Sequence, residues 1–470
     1  MVFNSLSFAV FFVVVTTAYF TLHHRFRWLL LLAASCFFYM FFIPVYILIL
    51  VLTILIDYLA AIRIERTQDP KHKRLLLGIS VASLCATLFT FKYFNFFNEN
   101  VAHVASLLDL NYPIQALRIA LPIGLSFHTF QGLSYVIEVY RGHQKAEHHF
   151  GIYSLYVMYF PQLVAGPIER PQNMLHQFHE VKRFDLNRLG DGMLLVLWGL
   201  FKKVVVADSL ALYVDAVYNA SSHHNGTTLI VATYFFAFQI YCDFSGYSDI
   251  ARGVSRVYGI ELMKNFDTPY FASSISEFWS RWHISLSTWF RDYVYIPLGG
   301  NRVSAPKQAR NILFVFMLSG FWHGANWTFL IWGALHGICL VVERLFGSGD
   351  RPPRAVVPTR WSRIAGVLLT FHVTVLAWVF FRAPDVSAAL DIMWRIVAFP
   401  GPLFFDPILV QSLFGIAVVL ALDLFHRYAD FWNHHDQYSI PFRFAYALSL
   451  LFGVILLGVE KGTQFIYFQF

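Results

Sequence analysis

The chain has 470 residues, of which 57% are hydrophobic and only 13% are charged, whereas soluble proteins average about half apolar and about a quarter charged residues. This composition excludes a soluble globular protein and predicts an integral membrane protein of one domain, residues 1–470. The net charge of +7 comes from basic loops. In a membrane protein such loops bear on orientation and on anionic lipid, so we expect membrane lipid and no nucleic acid as a partner.

Several apolar runs are long enough, or nearly so, to cross a bilayer, which takes ~20 helical residues. They cover residues 8–20, 29–61, 76–89 and 445–459, and with the later runs they predict about a dozen membrane-inserted helices. The first run lacks the basic leader and the small-residue cleavage site of a secretory signal, so we expect it to be retained. Four cysteines stand far apart in apolar runs and indicate neither a disulfide framework nor a thiolate metal site.

Basic residues predict the orientation of the chain. Five cations lie between residues 63 and 74, so the positive-inside rule places this loop in the cytoplasm and the N-terminus outside. The next apolar run, 152–165, is short and is followed by further cations. We expect a re-entrant pair of half-helices ending at Gly166-Pro167, which lines a funnel open to the cytoplasm. The basic, proline-rich stretch 350–363 is also expected to be cytoplasmic.

Two carboxylates follow the apolar run from Leu229 to Cys242. Asp243 and Asp249 stand there beside small and hydroxyl-bearing residues, and carboxylates at the end of an apolar segment are expected to face a cavity. A hydrogen-bonding cluster at a helix end or between helices explains them at least as well as direct chemistry does. Both interpretations stay open at this point.

A helix is predicted to begin at Ser274, because Ser274 and Glu277 have the spacing of a capping box. Aromatic and apolar residues then recur every three or four positions over 278–293 on one face. The polar face of the same helix carries His283, Ser287 and Arg291. We expect one amphipathic helix that ends at the proline-glycine turn 297–301. A helix lying in the headgroup region is the ordinary alternative for such a segment.

The apolar run 312–342 is longer than one span needs, and its interior has Gly320 and Gly324 on either side of His323. Two helices meeting at a glycine break explain both features. This predicts that His323 lies at their junction, within the membrane. Asn326 and Trp327 follow at i+3 and i+4 and are expected to orient the imidazole.

Histidines at membrane depth are candidates for function, because hydrocarbon offers them no hydration. A neutral imidazole is a natural general base for an alcohol, and attack of that alcohol on a thioester is acyl transfer. We therefore interpret His283 and His323 as a catalytic centre. By contrast, His336 is a lone histidine among Ala, Leu and Gly, and we expect it to be a core residue.

Two other classes of protein stay open on the residues alone. One is a transporter or flippase in which the histidines relay protons; secondary transporters often have repeated halves, and no repeat is apparent here. The other is a non-catalytic membrane scaffold, which the resemblance described next would place in a polysaccharide-export complex.

Five segments of the chain carry a resemblance to a known family. They are Phe160 to Pro171, Asp243 to Asp249, Phe278 to Ser287, Pro297 to Arg302 and Gly320 to Gly324. Taken together in this order, they resemble the membrane-bound O-acyltransferase family, and within it the alginate O-acetyltransferase branch, which is related to the D-alanyl transfer protein of teichoic acid modification. The resemblance implies an all-α polytopic fold, a ring of membrane helices around a central tunnel or funnel. It also implies that His323 is the catalytic histidine and His283 the second polar position of the site.

The resemblance further implies a reaction and its setting. The donor would be acetyl-CoA or another acyl thioester on the cytoplasmic side, with no tightly bound cofactor and no metal. A periplasmic acetyltransferase and polysaccharide export machinery would be the partners, and the bacterial inner membrane the location of this multi-pass chain. The aromatic terminus 465–470 resembles a tail motif of this branch, so Tyr467 is a candidate to carry the acyl group as a phenolic ester. An aromatic anchor at the membrane interface is the alternative for that tail.

Overall fold

The computed structural model describes residues 1–164, 166–346, 359–434, 437–459 and 465–466. Within these ranges the regular structure is helical throughout and contains no strand. The chain divides into two compact units, the first made of Met1–Val196 with Ile250–Met263 and the second of Leu197–Asp249 with Lys264–Phe470. The prediction of an all-α polytopic membrane protein is confirmed, while the ring around a tunnel stays a prediction.

Ten helices begin in the first unit. They are α1 (Leu6–Thr21), α2 (His24–Met40), α3 (Ile47–Arg66), α4 (Pro70–Leu88), α5 (Phe94–Leu107), α6 (Leu125–Arg141), α7 (Phe150–Met158), α8 (Phe160–Leu163), α9 (Pro171–His179) and α10 (Leu186–Leu200). A 3-10 turn at Pro44–Tyr46 divides the predicted run 29–61 into α2 and α3, since proline fixes φ and lacks an N–H donor. Asp69 caps α4 through the N–H of Lys71, and Pro70 occupies its first turn, where its missing donor is not needed.

The short run after residue 149 folds as two broken helices, α7 and α8. Apart from the half-exposed Phe150, their residues are buried inside the first unit. The predicted break between two half-helices is therefore present, and irregular backbone there is covered by protein, as it must be at membrane depth. How deep the pair lies in a bilayer stays a prediction.

Eleven further helices follow. They are α11 (Asp208–Tyr218), α12 (Gly226–Val257), α13 (Ile275–Arg281), α14 (Ile284–Phe290), α15 (Ala305–His323), α16 (Trp327–Phe346), α17 (Arg360–Arg382), α18 (Val386–Ala398), α19 (Ile408–Tyr428), α20 (Phe431–His434) and α21 (Ile440–Leu457). The basic stretch expected at 350–363 is described only from residue 359 onward. Its earlier residues lie outside the described part of the chain.

Seven helical segments in the described ranges are long and apolar enough to cross a membrane. They are Pro44–Arg66, Pro70–Leu107, Gly226–Val257, Trp327–Phe346, Arg360–Arg382, Ile408–Tyr428 and Ile440–Leu457. The shorter α1 is apolar as well. The estimate of about a dozen inserted helices is thus reached only if shorter helices, such as α2 and α6, also lie within the bilayer.

Helix α12 differs from the sequence-based expectation because it does not end with its apolar run. It continues through Asp243 and Asp249 to Val257, so the two carboxylates lie inside a helix. Lysine side chains compensate their charges: Nζ of Lys203 lies 2.7 Å from Asp243, and Nζ of Lys202 lies 2.5 Å from Asp249. Paired carboxylates can be buried where single ones cannot.

Candidate active site

The chain around His283 forms a sharp turn between two helices. Helix α13 ends at Arg281 and α14 begins at Ile284, and His283 has the left-handed angles φ 43° and ψ 54°. The prediction of one continuous amphipathic helix is therefore wrong. A left-handed conformation costs a residue with a side chain roughly 1–2 kcal/mol, so other contacts must stabilise this turn.

Two backbone hydrogen bonds stabilise the turn from a distant segment. The N–H of Ile284 donates to the carbonyl of Asn265 at 2.9 Å, and the N–H of Asp267 donates to the carbonyl of Arg281 at 2.9 Å. The extended segment 265–267 thus pairs with both sides of His283. These bonds satisfy backbone donors and acceptors that would otherwise be hydrogen-bonded within a continuous helix.

The start of α13 follows the predicted capping box. Ser274 accepts a hydrogen bond from the N–H of Glu277 at 3.0 Å. The return bond differs in its partner, because the Glu277 carboxylate accepts from the N–H and the hydroxyl of Ser273, at 2.6 and 2.7 Å. The helix that precedes the His283 turn therefore begins where the sequence predicts.

The side chain of Asn265 orients His283. Its Oδ1 accepts hydrogen bonds from the N–H and the hydroxyl of Ser285, at 3.1 and 3.0 Å, and lies 3.2 Å from Nδ1 of His283. An amide oxygen is only an acceptor, so Nδ1 carries the proton and Nε2 is the basic nitrogen of the neutral ring. Sequence reasoning missed Asn265, since nothing local to residue 265 indicates a partner eighteen positions away.

The His283 imidazole is completely buried. Phe244 approaches it edge to face, with 4.5 Å between ring centroids, and Phe266 lies at 6.4 Å. Burial lowers the pKa of His283 to about 3, because a charged ring would lose its hydration. The residue is therefore neutral across the physiological range.

His323 is the last residue of α15 and faces the opposite arm of a helical hairpin. A Cβ atom on Gly320 would lie 2.1 Å from the carbonyl oxygen of Phe329, and one on Gly333 would lie 2.2 Å from that of Phe316. Only glycine permits α15 and α16 to approach so closely. The predicted junction of two helices at a glycine break is confirmed in this geometry, and it fixes the position of His323.

The two histidines lie side by side in the second unit, with 6.4 Å between ring centroids. Trp322, Trp332 and Phe381 surround the His323 ring at 4.9, 5.2 and 5.5 Å. A general base acts on a hydroxyl group within hydrogen-bond reach, so this pair of buried imidazoles is a candidate for binding an acceptor hydroxyl. The aromatic walls exclude water, which strengthens polar interactions inside such a site.

Asn326 and Trp327 occupy the beginning of α16. The Asn326 amide accepts from the N–H of Thr328 at 3.1 Å and donates to the carbonyl of Pro384 at 2.9 Å, so both ends of this side chain are used where the helix starts. Trp327 is 54% exposed. The structure gives Asn326 a capping role, and the expected role of both residues in orienting the imidazole stays a prediction.

Ser287 and Arg291 line a cavity of about 680 Å³ in the second unit. Its wall is rich in hydroxyl groups, contributed by Ser276, Ser280, Ser287, Thr288, Tyr295 and Ser319. Ser287 also donates to the carbonyl of Trp282 at 3.1 Å, and the exposed Arg291 pairs with Asp292 at 2.7 Å. The predicted polar face is therefore not continuous, since His283 is buried in the aromatic core while Ser287 and Arg291 face the cavity.

Asp243 and Asp249 belong to a buried ionic cluster. Lys203 contacts Asp243 and Asp208 at 2.7 and 2.8 Å, and Lys202 contacts Asp249. The two adjacent lysines lie in a π-helical stretch, Phe201–Ala207, whose wider turn allows both to reach α12. This arrangement agrees with the interpretation of a cluster between helices. The sequence shows the lysines only as an interruption of an apolar pattern, so their partners could not be predicted.

The second oxygen of Asp243 binds the C-terminal segment. It accepts a hydrogen bond from the N–H of Ile466 at 2.7 Å, and the ring of Phe465 packs 4.2 Å from that of Tyr247. Both residues are buried. Tyr467 follows them in sequence and lies outside the described residues.

His336 is a buried residue of α16. Its Nδ1 accepts a hydrogen bond from the indole of Trp279 at 3.3 Å, and its ring stacks on Phe278, as expected of a core histidine. Within the described ranges, no three His, Cys, Asp or Glu side chains come together in a way that could hold a metal ion.

These features define a helical membrane protein with a buried site of two imidazoles enclosed by aromatic residues. Residues 16–382 match the membrane-bound O-acyltransferase family. The match covers most of the chain, including α13 to α16, and the chain belongs to this family. The resemblance inferred from its motifs is confirmed.

Individual relatives act on different polymers according to their names. The chain is 41% identical over 333 residues to the probable alginate O-acetylase AlgI of Azotobacter vinelandii, covering 71% of this chain and 63% of that protein. It is 36% identical over 382 residues to the peptidoglycan O-acetyltransferase of Helicobacter pylori, covering 76% and 71%. A teichoic acid D-alanyltransferase of Streptococcus thermophilus is 29% identical over 294 residues, covering 58% and 69%. The matched region is thus about three fifths of the length of the alginate O-acetylases, 63% and 59% in two of them.

Proposed function

We propose that the protein is a membrane-bound O-acetyltransferase that passes acetyl groups from a cytoplasmic thioester donor across the membrane, for O-acetylation of an exported polysaccharide such as alginate. The observation that carries this proposal is the buried pair of imidazoles, His283 and His323, 6.4 Å apart inside an aromatic enclosure. Family membership supports acyl transfer as the chemistry.

In the proposed reaction, His323 is the general base. It accepts the proton of an acceptor hydroxyl while the hydroxyl oxygen attacks the carbonyl carbon of the acetyl thioester. The resulting tetrahedral intermediate collapses with cleavage of the C–S bond, and the proton passes from His323 to the leaving sulfur. His283, neutral and held by Asn265, orients the reacting groups.

The cavity of about 680 Å³ supports a thioester donor with a long arm. Its volume lies within the ~300–1,000 Å³ of small-molecule sites. Its hydroxyl groups suit the amides of an extended chain, and Arg291, Glu343 and Arg344 place charged groups in its wall. Ser319 in its wall lies one helical turn before His323. Acetyl-CoA or another acyl thioester fits these features as a donor substrate, and the proposal includes no tightly bound cofactor.

The remaining parts of the proposal concern the route of the acetyl group. The names of the alginate and peptidoglycan relatives support an acceptor outside the cytoplasm, and hence a location in the bacterial inner membrane with a periplasmic acetyltransferase and export machinery as partners. Tyr467 remains a candidate acyl carrier. The burial of Phe465 and Ile466 beside Asp243 supports this candidate, because it ties the preceding residues to the unit that contains both histidines.

The test uses the full chain, purified into lipid nanodiscs with labelled acetyl-CoA and a hydroxyl acceptor. We expect His323→Ala to lower thioester consumption by about 10²–10⁴-fold, the usual contribution of a general base, while thermal unfolding stays unchanged. His372→Ala is the matched control, since His372 is exposed and its Nδ1 hydrogen-bonds to the carbonyl of Leu368 in its own helix. Undiminished acetyl transfer in His323→Ala, or substrate transport without thioester consumption in wild type, would contradict the proposal.

A further inference from the structure

A cluster of cations lies next to the His283 turn in the second unit. The segment 265–267 that pairs with this turn contains Asp267 and is flanked by Lys264 and Thr268, and Arg281 ends the helix before the turn. Two more arginines belong to the cluster, Arg363 in the first turn of α17 and Arg427 in the last turn of α19. Four cations thus face Asp267 and Glu277, and Lys264 also acts on the buried Asp423, so positive charge is in excess around the three arginines.

Arg281 is the buried member of the cluster. Only 9% of it is exposed, and one terminal nitrogen, Nη2, contacts the Glu277 carboxylate. The other, Nη1, is buried without a hydrogen-bond partner among the described residues. A buried charged donor without a partner is costly, so this atom is a donor that an anionic ligand would satisfy.

Two other arginines act directly on the Arg281 guanidinium. Burial lowers the pKa of Arg281, and the positive charges of Arg427 and Arg363 lower it further, against the opposite effect of Glu277 and Asp267. Arg427 donates one hydrogen bond to the Thr268 hydroxyl at 2.7 Å, and its guanidinium has five N–H donors in all. Arg427 is therefore held at Thr268, next to Asp267, whose N–H donates to the carbonyl of Arg281.

The position of Arg363 near a helix N-terminus also favours the binding of an anion. Helix N-termini favour anions and disfavour cations, because the first N–H groups and the helix dipole are positive there. Arg363 is exposed near the N-terminus of α17, where an anion would interact favourably with both the helix and the side chain. Arg363 and Arg427 also lie at the ends of two candidate membrane spans, which is where a water-soluble or headgroup anion is available.

We infer that Arg281, Arg363 and Arg427 form a binding site for a phosphate group. A phosphate group suits the excess of positive charge, and guanidinium groups bind phosphate oxygens through paired N–H donors. The phosphate belongs either to the thioester donor or to an anionic lipid headgroup. The site itself depends on the contacts above, and only its assignment to the donor rests on the proposed function. Because Arg281 and His283 are two residues apart, a donor held here would be bound by the same turn that orients His283.

The experiment measures binding rather than turnover, so its outcome is separate from that of the acetyl-transfer test. The full chain carrying His323→Ala is placed in nanodiscs of phosphatidylcholine alone, or of phosphatidylcholine with phosphatidylglycerol. The ligands are acetyl-CoA, the phosphate-free S-acetylpantetheine and inorganic phosphate. Arg363→Gln and Arg427→Gln remove one cation each. They are preferred to Arg281→Gln, which would truncate a buried side chain. Arg360→Gln is the control, since it removes a cation from the same helix three residues earlier.

We expect Arg363→Gln and Arg427→Gln to weaken the binding of acetyl-CoA and of inorganic phosphate about ten-fold, the effect of one charged hydrogen bond. S-acetylpantetheine binding and the control should stay within about two-fold of the parent. If acetyl-CoA binding is unchanged but stabilisation by phosphatidylglycerol is lost in both variants, the site holds a lipid headgroup. If neither variant alters phosphate, acetyl-CoA or phosphatidylglycerol binding, the inference is overturned.

Discussion

The two histidines of the candidate site are held in place by different kinds of contact. His323 ends a helix of a tightly packed hairpin, where Gly320 and Gly333 allow two backbones to touch. His283 lies in a left-handed turn that depends on hydrogen bonds to Asn265 and Asp267. Close packing of two backbones therefore positions His323, whereas polar contacts between distant segments position His283. The difference indicates that the position of His323 is rigid, whereas the position of His283 can be changed by substituting Asn265.

The hairpin can be disrupted by a single methyl group. We expect Gly333→Ala to destabilise the protein by about 1–3 kcal/mol, as overpacking does, because the added Cβ meets the backbone of Phe316. Acetyl transfer should fall with it, since His323 moves with α15. Thermal unfolding in nanodiscs, together with the transfer assay, measures both effects.

Gly78→Ala is the matched control for the hairpin. Gly78 lies in α4, and a Cβ atom there has no heavy atom within 4 Å. The same chemical change should leave stability equal or slightly higher, because alanine favours the helix. Equal unfolding temperatures for the two variants would show that the close approach of α15 and α16 does not hold the site.

The His283 turn can be tested through Asn265. We expect Asn265→Ala to lower kcat about ten-fold with a smaller effect on KM, because three donors lose their acceptor and a misplaced catalytic group reacts slowly. A purely structural role would instead reduce the amount of folded protein and leave the kcat of the remainder unchanged.

Asn265→Asp gives a different signature, in the pH dependence. In wild type, burial lowers the pKa of His283 to about 3, so its protonation leaves no limb in the rate profile between about pH 5 and pH 8. A carboxylate beside Nδ1 favours the charged ring and raises that pKa. Activity of the variant should then decrease as the pH falls through the raised pKa. A profile parallel to that of wild type would show that residue 265 does not act on His283.

The smallest effects are expected in the cavity. Arg291→Gln removes an exposed charge from its lining, and exposed charges contribute little. We expect KM for the thioester to rise about two- to three-fold, with kcat unchanged. Asp391→Asn, on the surface of α18 and paired with Arg395, is a suitable control for an exposed charge outside the cavity. A fall in kcat without a change in KM would assign Arg291 to the reaction itself.

Much of the fold could be predicted from local patterns. The membrane spans follow from apolar length, the start of α13 from Ser274 and Glu277, and the hairpin from two glycines beside His323. These features depend on residues within a few positions of one another, so the sequence displays them directly.

The remaining features depend on contacts between distant residues. The left-handed turn at His283 is stabilised by Asn265, and the continuation of α12 past Asp243 is stabilised by Lys203 from another helix. Apolar residues recur every three or four positions through 282–283, and this pattern predicts an unbroken helix. Periodicity contains no information on tertiary hydrogen bonds, so it does not reveal the turn.

The hydrogen bond between Asp243 and Ile466 has a consequence for biosynthesis. The two residues are 223 positions apart, and a ribosome adding about 5–20 residues per second needs roughly ten to forty seconds to cover that distance. During this interval Asp243 is already part of the nascent chain while its backbone donor does not yet exist. In a chain arrested before residue 466, Asp243 would keep its lysine partner, but its second oxygen would lack this backbone donor inside the second unit.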